Sequence, residues 1–74
     1  MKKADMKRKA LKNLDMYIDG LKNAQEEFQI TSNYFSAYAV LFVIYYSLEI
    51  ISEDEFNKLD KEIREARKKA REEV

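Results

Sequence analysis

The sequence predicts an all-α fold of three helices packed as a small bundle, and three observations predict it. Proline is absent and the only glycine is Gly20, a composition that permits long helices and disfavours tight hairpin turns. Two stretches, around Leu11–Leu21 and Phe56–Ala70, carry apolar residues at alternating three- and four-residue spacing, the mark of an amphipathic helix. Between them, Ser52-Glu53-Asp54-Glu55 is a helix-start signature. With 74 residues the chain is expected to be a single helical domain over residues 1–74. At that size a hydrophobic core alone gives marginal stability unless disulfides, a metal or oligomerisation add to it. There is no cysteine and no histidine, so no disulfide or thiolate zinc site exists and the commonest remaining metal ligand is missing. Oligomerisation is the support left.

The first helix is expected over about residues 4–28. Leu11, Leu14, Ile18, Leu21 and Phe28 fall on one stripe, with Ala10, Tyr17 and Ala24 beside it. Gly20 costs about 1 kcal/mol against alanine inside a helix, but the apolar phase runs past it unshifted, so the helix is read as continuous. Thr31, Ser32 and Asn33 offer three successive side chains able to accept from a helix's first free amides. A turn is therefore placed there, and the second helix over about residues 33–50.

The second helix is apolar nearly all round. An aliphatic sector holds Ala37, Val40, Leu41, Ile44, Leu48 and Ile51, a small-residue sector Ser36, Ala39, Val43 and Ser47, and a third sector Tyr34, Tyr38 and Tyr45 with Glu49 among them and Phe35 and Phe42 at its edge. Its β-branched and aromatic content would suit a strand, but so short a chain offers no second strand to pair with. Nor does it suit a membrane span. Tyr34 to Leu48 would reach only about 22 Å at 1.5 Å per residue, against a hydrocarbon core of about 30 Å.

The third helix, about residues 53–72, follows the capping box, in which Ser52 takes an early amide proton and Glu55 reaches back to the Ser52 amide. Its stripe is Phe56, Leu59, Ile63, Ala66 and Ala70, with acids in the first turn and Arg64, Arg67, Lys68, Lys69 and Arg71 toward the end, matching the helix dipole. Because the stripe thins from phenylalanine to alanine, its last two turns are expected to project beyond the core or meet a partner.

Basic and acidic residues balance at 14 each, so no net field draws the chain toward nucleic acid or an anionic membrane. After the opening Met-Lys-Lys come Ala4 to Lys9 with no apolar stretch, so a cytoplasmic location is expected. A preference for lysine over arginine with many Tyr, Asn, Ile and Phe is what AT-rich coding gives, pointing to a low-GC bacterium, its phage or a mobile element.

No enzyme activity, catalytic residue, cofactor or metal site is expected. Glu49 has no histidine, cysteine or second acid at catalytic spacing to work with, and the acids at Glu26–Glu27 and Glu53–Glu55 lack calcium-loop spacing. The expected activity is protein binding. Tyr34, Phe35, Tyr38, Phe42, Tyr45 and Glu49 are the candidate contact residues, since tyrosine and phenylalanine combine large buried area with low entropic cost. The partner is expected to be a second copy in a homodimer, or a host protein that the chain binds and blocks as an inhibitor. The alternative is a small DNA-binding accessory protein using Lys3, Lys7, Arg8 and Lys12 on the first helix. In a helix-turn-helix made of the second and third helices, Glu53, Asp54 and Glu55 would meet the phosphates, which disfavours that geometry.

The run Ile51, Ser52, Glu53, Asp54, Glu55, Phe56, followed by Lys58, Leu59 and Ile63, resembles the second half of the short C-terminal domain (SHOCT-like) family, a small bacterial helical hairpin, over about residues 41–66. That family usually carries a glycine ahead of the isoleucine. Leu48, Glu49 and Ile50 stand in that region here, implying a tighter or differently capped turn. The resemblance implies an oligomerisation or protein-binding module.

Overall fold

The computed structural model describes residues 2–73; Met1 and Val74, the ends of the expected domain, lie outside them. Three helices follow in chain order: α1 (Lys3–Lys22), α2 (Glu27–Phe42), which runs on through a π-helical turn at Val43–Ser47, and α3 (Glu53–Glu73). No strand occurs among the described residues. The fold is therefore all-α and made of three helices, within extents of 39 × 21 × 15 Å.

The first two helices meet earlier than the sequence reading places them. α1 stops at Lys22, not near Phe28, because Asn23 closes it twice, its backbone amide donating to the Asp19 carbonyl at 3.0 Å and its side-chain amide donating to the same oxygen at 2.9 Å. α2 starts at Glu27, not Asn33. Gln29 reaches back to accept from the backbone amides of Gln25 and Glu26 at 2.7 and 3.3 Å, the returning half of a capping box. Thr31, Ser32 and Asn33 consequently lie inside α2, and Asn33 donates to the Gln29 carbonyl one turn back at 2.8 Å instead of capping.

Gly20 sits within α1, as expected of a continuous helix, and its role is spatial. A Cβ placed on it would lie 2.4–2.8 Å from the side-chain amide of Asn33, so the missing methyl is what lets α2 approach α1 at this level.

The core is built from Leu14, Ile18 and Leu21 of α1, Ile30, Ala37, Leu41 and Ile44 of α2 and its extension, and Ile51, Ile63, Ala66 and Ala70. Burying one such aliphatic side chain stabilises by about 1.5–3 kcal/mol. Ala66 and Ala70 are buried, so the end of α3 does not project. Its stripe thins because α1 comes close there: Ile18 and Lys22 share a shallow cleft with Ala66, Lys69 and Ala70. The Ser52 box forms as expected, with Glu55 N–H donating to Ser52 Oγ and Ser52 N–H to Glu55 Oε1, both at 3.1 Å.

The chain between α2 and α3 is unusual at two points. The widened turn is closed by bonds from Leu48 N–H to the Val43 carbonyl (2.8 Å) and from Ile50 N–H to the Ile44 carbonyl (2.9 Å). Glu49 then takes φ 52°, the left-handed region in which glycine usually ends a helix. A non-glycine residue there costs about 1–2 kcal/mol.

Candidate interaction surface

α2 lies between α1 and α3, and this divides its surface into a core stripe, two flanks and one open face. Along the α3 flank, each tyrosine meets a partner. The Tyr34 ring lies under the Arg67 guanidinium, 4.3 Å from centroid to carbon. Tyr38 donates its hydroxyl to the Asp60 carboxylate, which also accepts from Arg64. Tyr45 stacks on Phe56 with centroids 4.3 Å apart. Phe42 and Tyr46 also come within about one ring of Phe56, at 6.2 and 5.9 Å. The π-turn contributes here, since its extra residue per turn brings Tyr45 and Tyr46 to the same ring.

The Tyr38–Asp60–Arg64 group is a charge-assisted network at the centre of this seam. The Arg64 guanidinium first, and the Tyr38 hydroxyl second, hold the Asp60 carboxyl below the usual carboxylate range. Burial, reinforced by the Asp60 carboxylate, pushes the Tyr38 hydroxyl well above its ordinary value, so the phenol stays neutral and donating. At the far end of the bundle, the Lys7 ammonium together with the Ser52 amide holds the Glu55 carboxyl down.

The open face lies opposite the core stripe. Phe28, Phe35 and Phe42 recur at heptad spacing along it, with Ala39 and Tyr46 between and beyond them and Val43 alongside. Phe28 is 77% exposed, Phe35 68%, Phe42 45% and Tyr46 66%. Such a row of open rings is uncommon on a monomer's surface, where contiguous apolar patches of more than a few hundred Å² mark interaction sites. No charged residue occurs from Phe28 to Leu48, so no charge on the face opposes its dehydration.

The six expected contact residues thus divide. Phe35 and Phe42 stand on the open face; Tyr34, Tyr38 and Tyr45 are half-buried in the seam against α3; Glu49 lies beyond the π-turn, exposed, in the left-handed conformation. Phe28 and Tyr46 belong to the open face and were assigned elsewhere or passed over by the sequence reading. Their signal was available in the seven-residue repeat of phenylalanine at 28, 35 and 42.

Of the expected nucleic-acid contacts, Lys7 is engaged by Glu55 at 2.9 Å and Arg8 by Asp5 at 3.3 Å, while Lys3 and Lys12 are exposed. Among the described residues, no group of three or more His, Cys, Asp or Glu side chains is placed to hold a metal ion, and no helix is long and apolar enough to cross a membrane. No protein-family model matches the chain, and comparison with curated proteins and with solved structures gives no match.

Proposed function

We propose that this chain is a non-catalytic protein-binding domain whose contact surface is the outer face of α2, covered either by a second copy or by another protein that the chain occupies and blocks. The observation that carries the reading is the row Phe28, Phe35, Phe42 and Tyr46, held open by a helix whose other sides pack against α1 and α3. Rings of this kind supply large contact area with only two side-chain torsions to fix, which is why aromatics dominate the energetics of protein contacts. The resemblance to the short C-terminal domain family points the same way. Glu49 is left-handed in the region where that family usually carries glycine.

The test is a photo-crosslinking residue, benzophenone-alanine, placed at position 35 in cells expressing the chain, with the same residue at exposed Lys61 of α3 as control. Ultraviolet-dependent protein adducts are expected at 35 and not at 61. Equal yields at the two positions, or none at 35, would sink the reading.

A further inference from the structure

We propose that the occupant of this face is a second copy of the chain, laid antiparallel about a two-fold axis that passes beside Ala39. The proposal rests on the reading of α2's outer face as a protein contact and adds the partner and its register.

Area comes first. At about 150–250 Å² per aromatic residue, the four exposures leave about 400–600 Å² of ring surface open per chain. Two copies facing each other would remove at most about 800–1,200 Å² from these rings, and exposed Val43 adds to the same face. A specific interface needs about 1,000 Å². The chain as it stands exposes 5342 Å², whereas a monomer of 8.8 kDa exposes about 4,800 Å² by the usual mass scaling.

Register follows from the extent of the patch. The row runs from Phe28 to Tyr46, and Ala39 is the small outward-facing residue near its middle. An antiparallel copy centred there sets Phe35 beside the partner's Phe42 and Val43, and Phe28 toward the far end of the partner's π-turn. The small Ala39 side chains at the axis let the two helices approach closely.

The charge pattern of α3 suits the antiparallel orientation. α3 borders the open face, as the Arg67–Tyr34 and Arg71–Glu27 contacts show, and its charge is polarised, with Glu53, Asp54 and Glu55 in its first turn and Arg64, Arg67, Lys68 and Arg71 in its second half. A two-fold axis perpendicular to α2 brings the two α3 helices side by side in opposite directions. With the axis at Ala39, Arg67 and Lys68 of each copy then lie at the level of the partner's Glu53 and Asp54.

The chain has no cysteine, so single introduced cysteines report on this arrangement without interference. Sedimentation of the wild-type chain at about 100 μM is expected to give twice the 8.8 kDa chain mass, and Phe35→Glu to give a monomer of unchanged helical circular dichroism, with dimer affinity reduced at least about tenfold. Under mild oxidation Ala39→Cys is expected to form a covalent dimer. Ser32→Cys is expected to stay single, because its antiparallel counterpart lies about 20 Å away along the helices at 1.5 Å per residue, far beyond the reach of a disulfide. Ser32→Cys crosslinking as readily as Ala39→Cys would overturn the antiparallel register. A wild-type monomer would overturn the second copy as occupant, while photo-adducts of position 35 with another protein would leave the protein-binding reading standing.

Discussion

The two aromatic faces of α2 are made of similar residues and behave differently. On the α3 flank, Tyr34, Tyr38 and Tyr45 each meet a guanidinium, a carboxylate or a ring from α3. On the outer face, about a third of a turn away, Phe28, Phe35 and Tyr46 meet mostly solvent. The hydroxyl accounts for part of the division. A tyrosine half-buried in a seam can satisfy its polar end locally, as Tyr38 does on Asp60, whereas a phenylalanine gains only in proportion to the area it buries. The phenylalanines on the outer face lack that burial in the single chain, and this makes them the ones available to a partner.

The largest effect that separates core from outer face is cavity formation. Leu41→Ala or Ile30→Ala removes a fully buried side chain and is expected to cost about 2–5 kcal/mol, seen as a lower urea midpoint at every protein concentration. Phe35→Ala should behave otherwise. In the dilute chain its effect should fall within the roughly ±0.5 kcal/mol usual for exposed sites, and any further loss should appear only where wild-type stability rises with chain concentration, as mass action requires of a surface buried by association. A loss for Phe35→Ala as large as for Leu41→Ala, independent of concentration, would erase the distinction between the two surfaces.

The seam has a pH signature that the outer face lacks. The Asp60 carboxyl is held low in the folded chain, so its contribution is fully present above its unfolded value of about 3.9 and is lost as pH falls through the folded value. The Tyr38 hydroxyl is pushed up, so its contribution holds below the unfolded value of about 10 and declines as pH rises beyond it. Tyr38→Phe removes the hydrogen bond to a charged acceptor and is expected to cost about 1.5–3 kcal/mol at pH 7, a penalty that shrinks in acid below about pH 4. Urea unfolding of both proteins in a series from pH 7 down into acid checks this, and a penalty that stays constant as Asp60 protonates would mean that Tyr38 acts through packing alone.

Legibility followed the range of the interactions. The Ser52–Glu55 box was readable because all its partners lie within four residues, and it formed as read. The amphipathic stripes of α1 and α3 were readable for the same reason, since Leu14, Ile18, Leu21 and Ile63 repeat at helical spacing. The junction between α1 and α2 was misplaced because Phe28 continues the phase of Ile18 and Leu21 by coincidence, and that phase outweighed the shorter signal of Glu26 and Gln29. Which side of α2 stays open could not be read at all from a helix apolar on every side. It is decided by Asp60, Arg67 and Phe56, residues 22 to 33 positions from the nearest tyrosines they fix in two cases and 11 in the third. The π-turn and the left-handed Glu49 depend likewise on how Tyr45 and Tyr46 reach Phe56.

A further comparison lies on the remaining flank of α2, where it meets α1. Gly20→Ala would ordinarily gain about 1 kcal/mol from helix propensity. Here the added Cβ would fall within 2.8 Å of all three heavy atoms of the Asn33 side-chain amide, which is itself tied to the Gln29 carbonyl. Asn33 must leave that bond or α2 must move out, and overpacking of this kind costs about 1–3 kcal/mol. The single variant is therefore expected to be about 1 kcal/mol less stable than wild type. In an Asn33→Ala background the obstacle is gone and the same substitution should regain its propensity, so the effect of Gly20→Ala changes sign. A double-mutant cycle by urea unfolding measures this coupling. Additive effects would mean that Gly20 is tolerated in α1 for a reason other than the approach of Asn33.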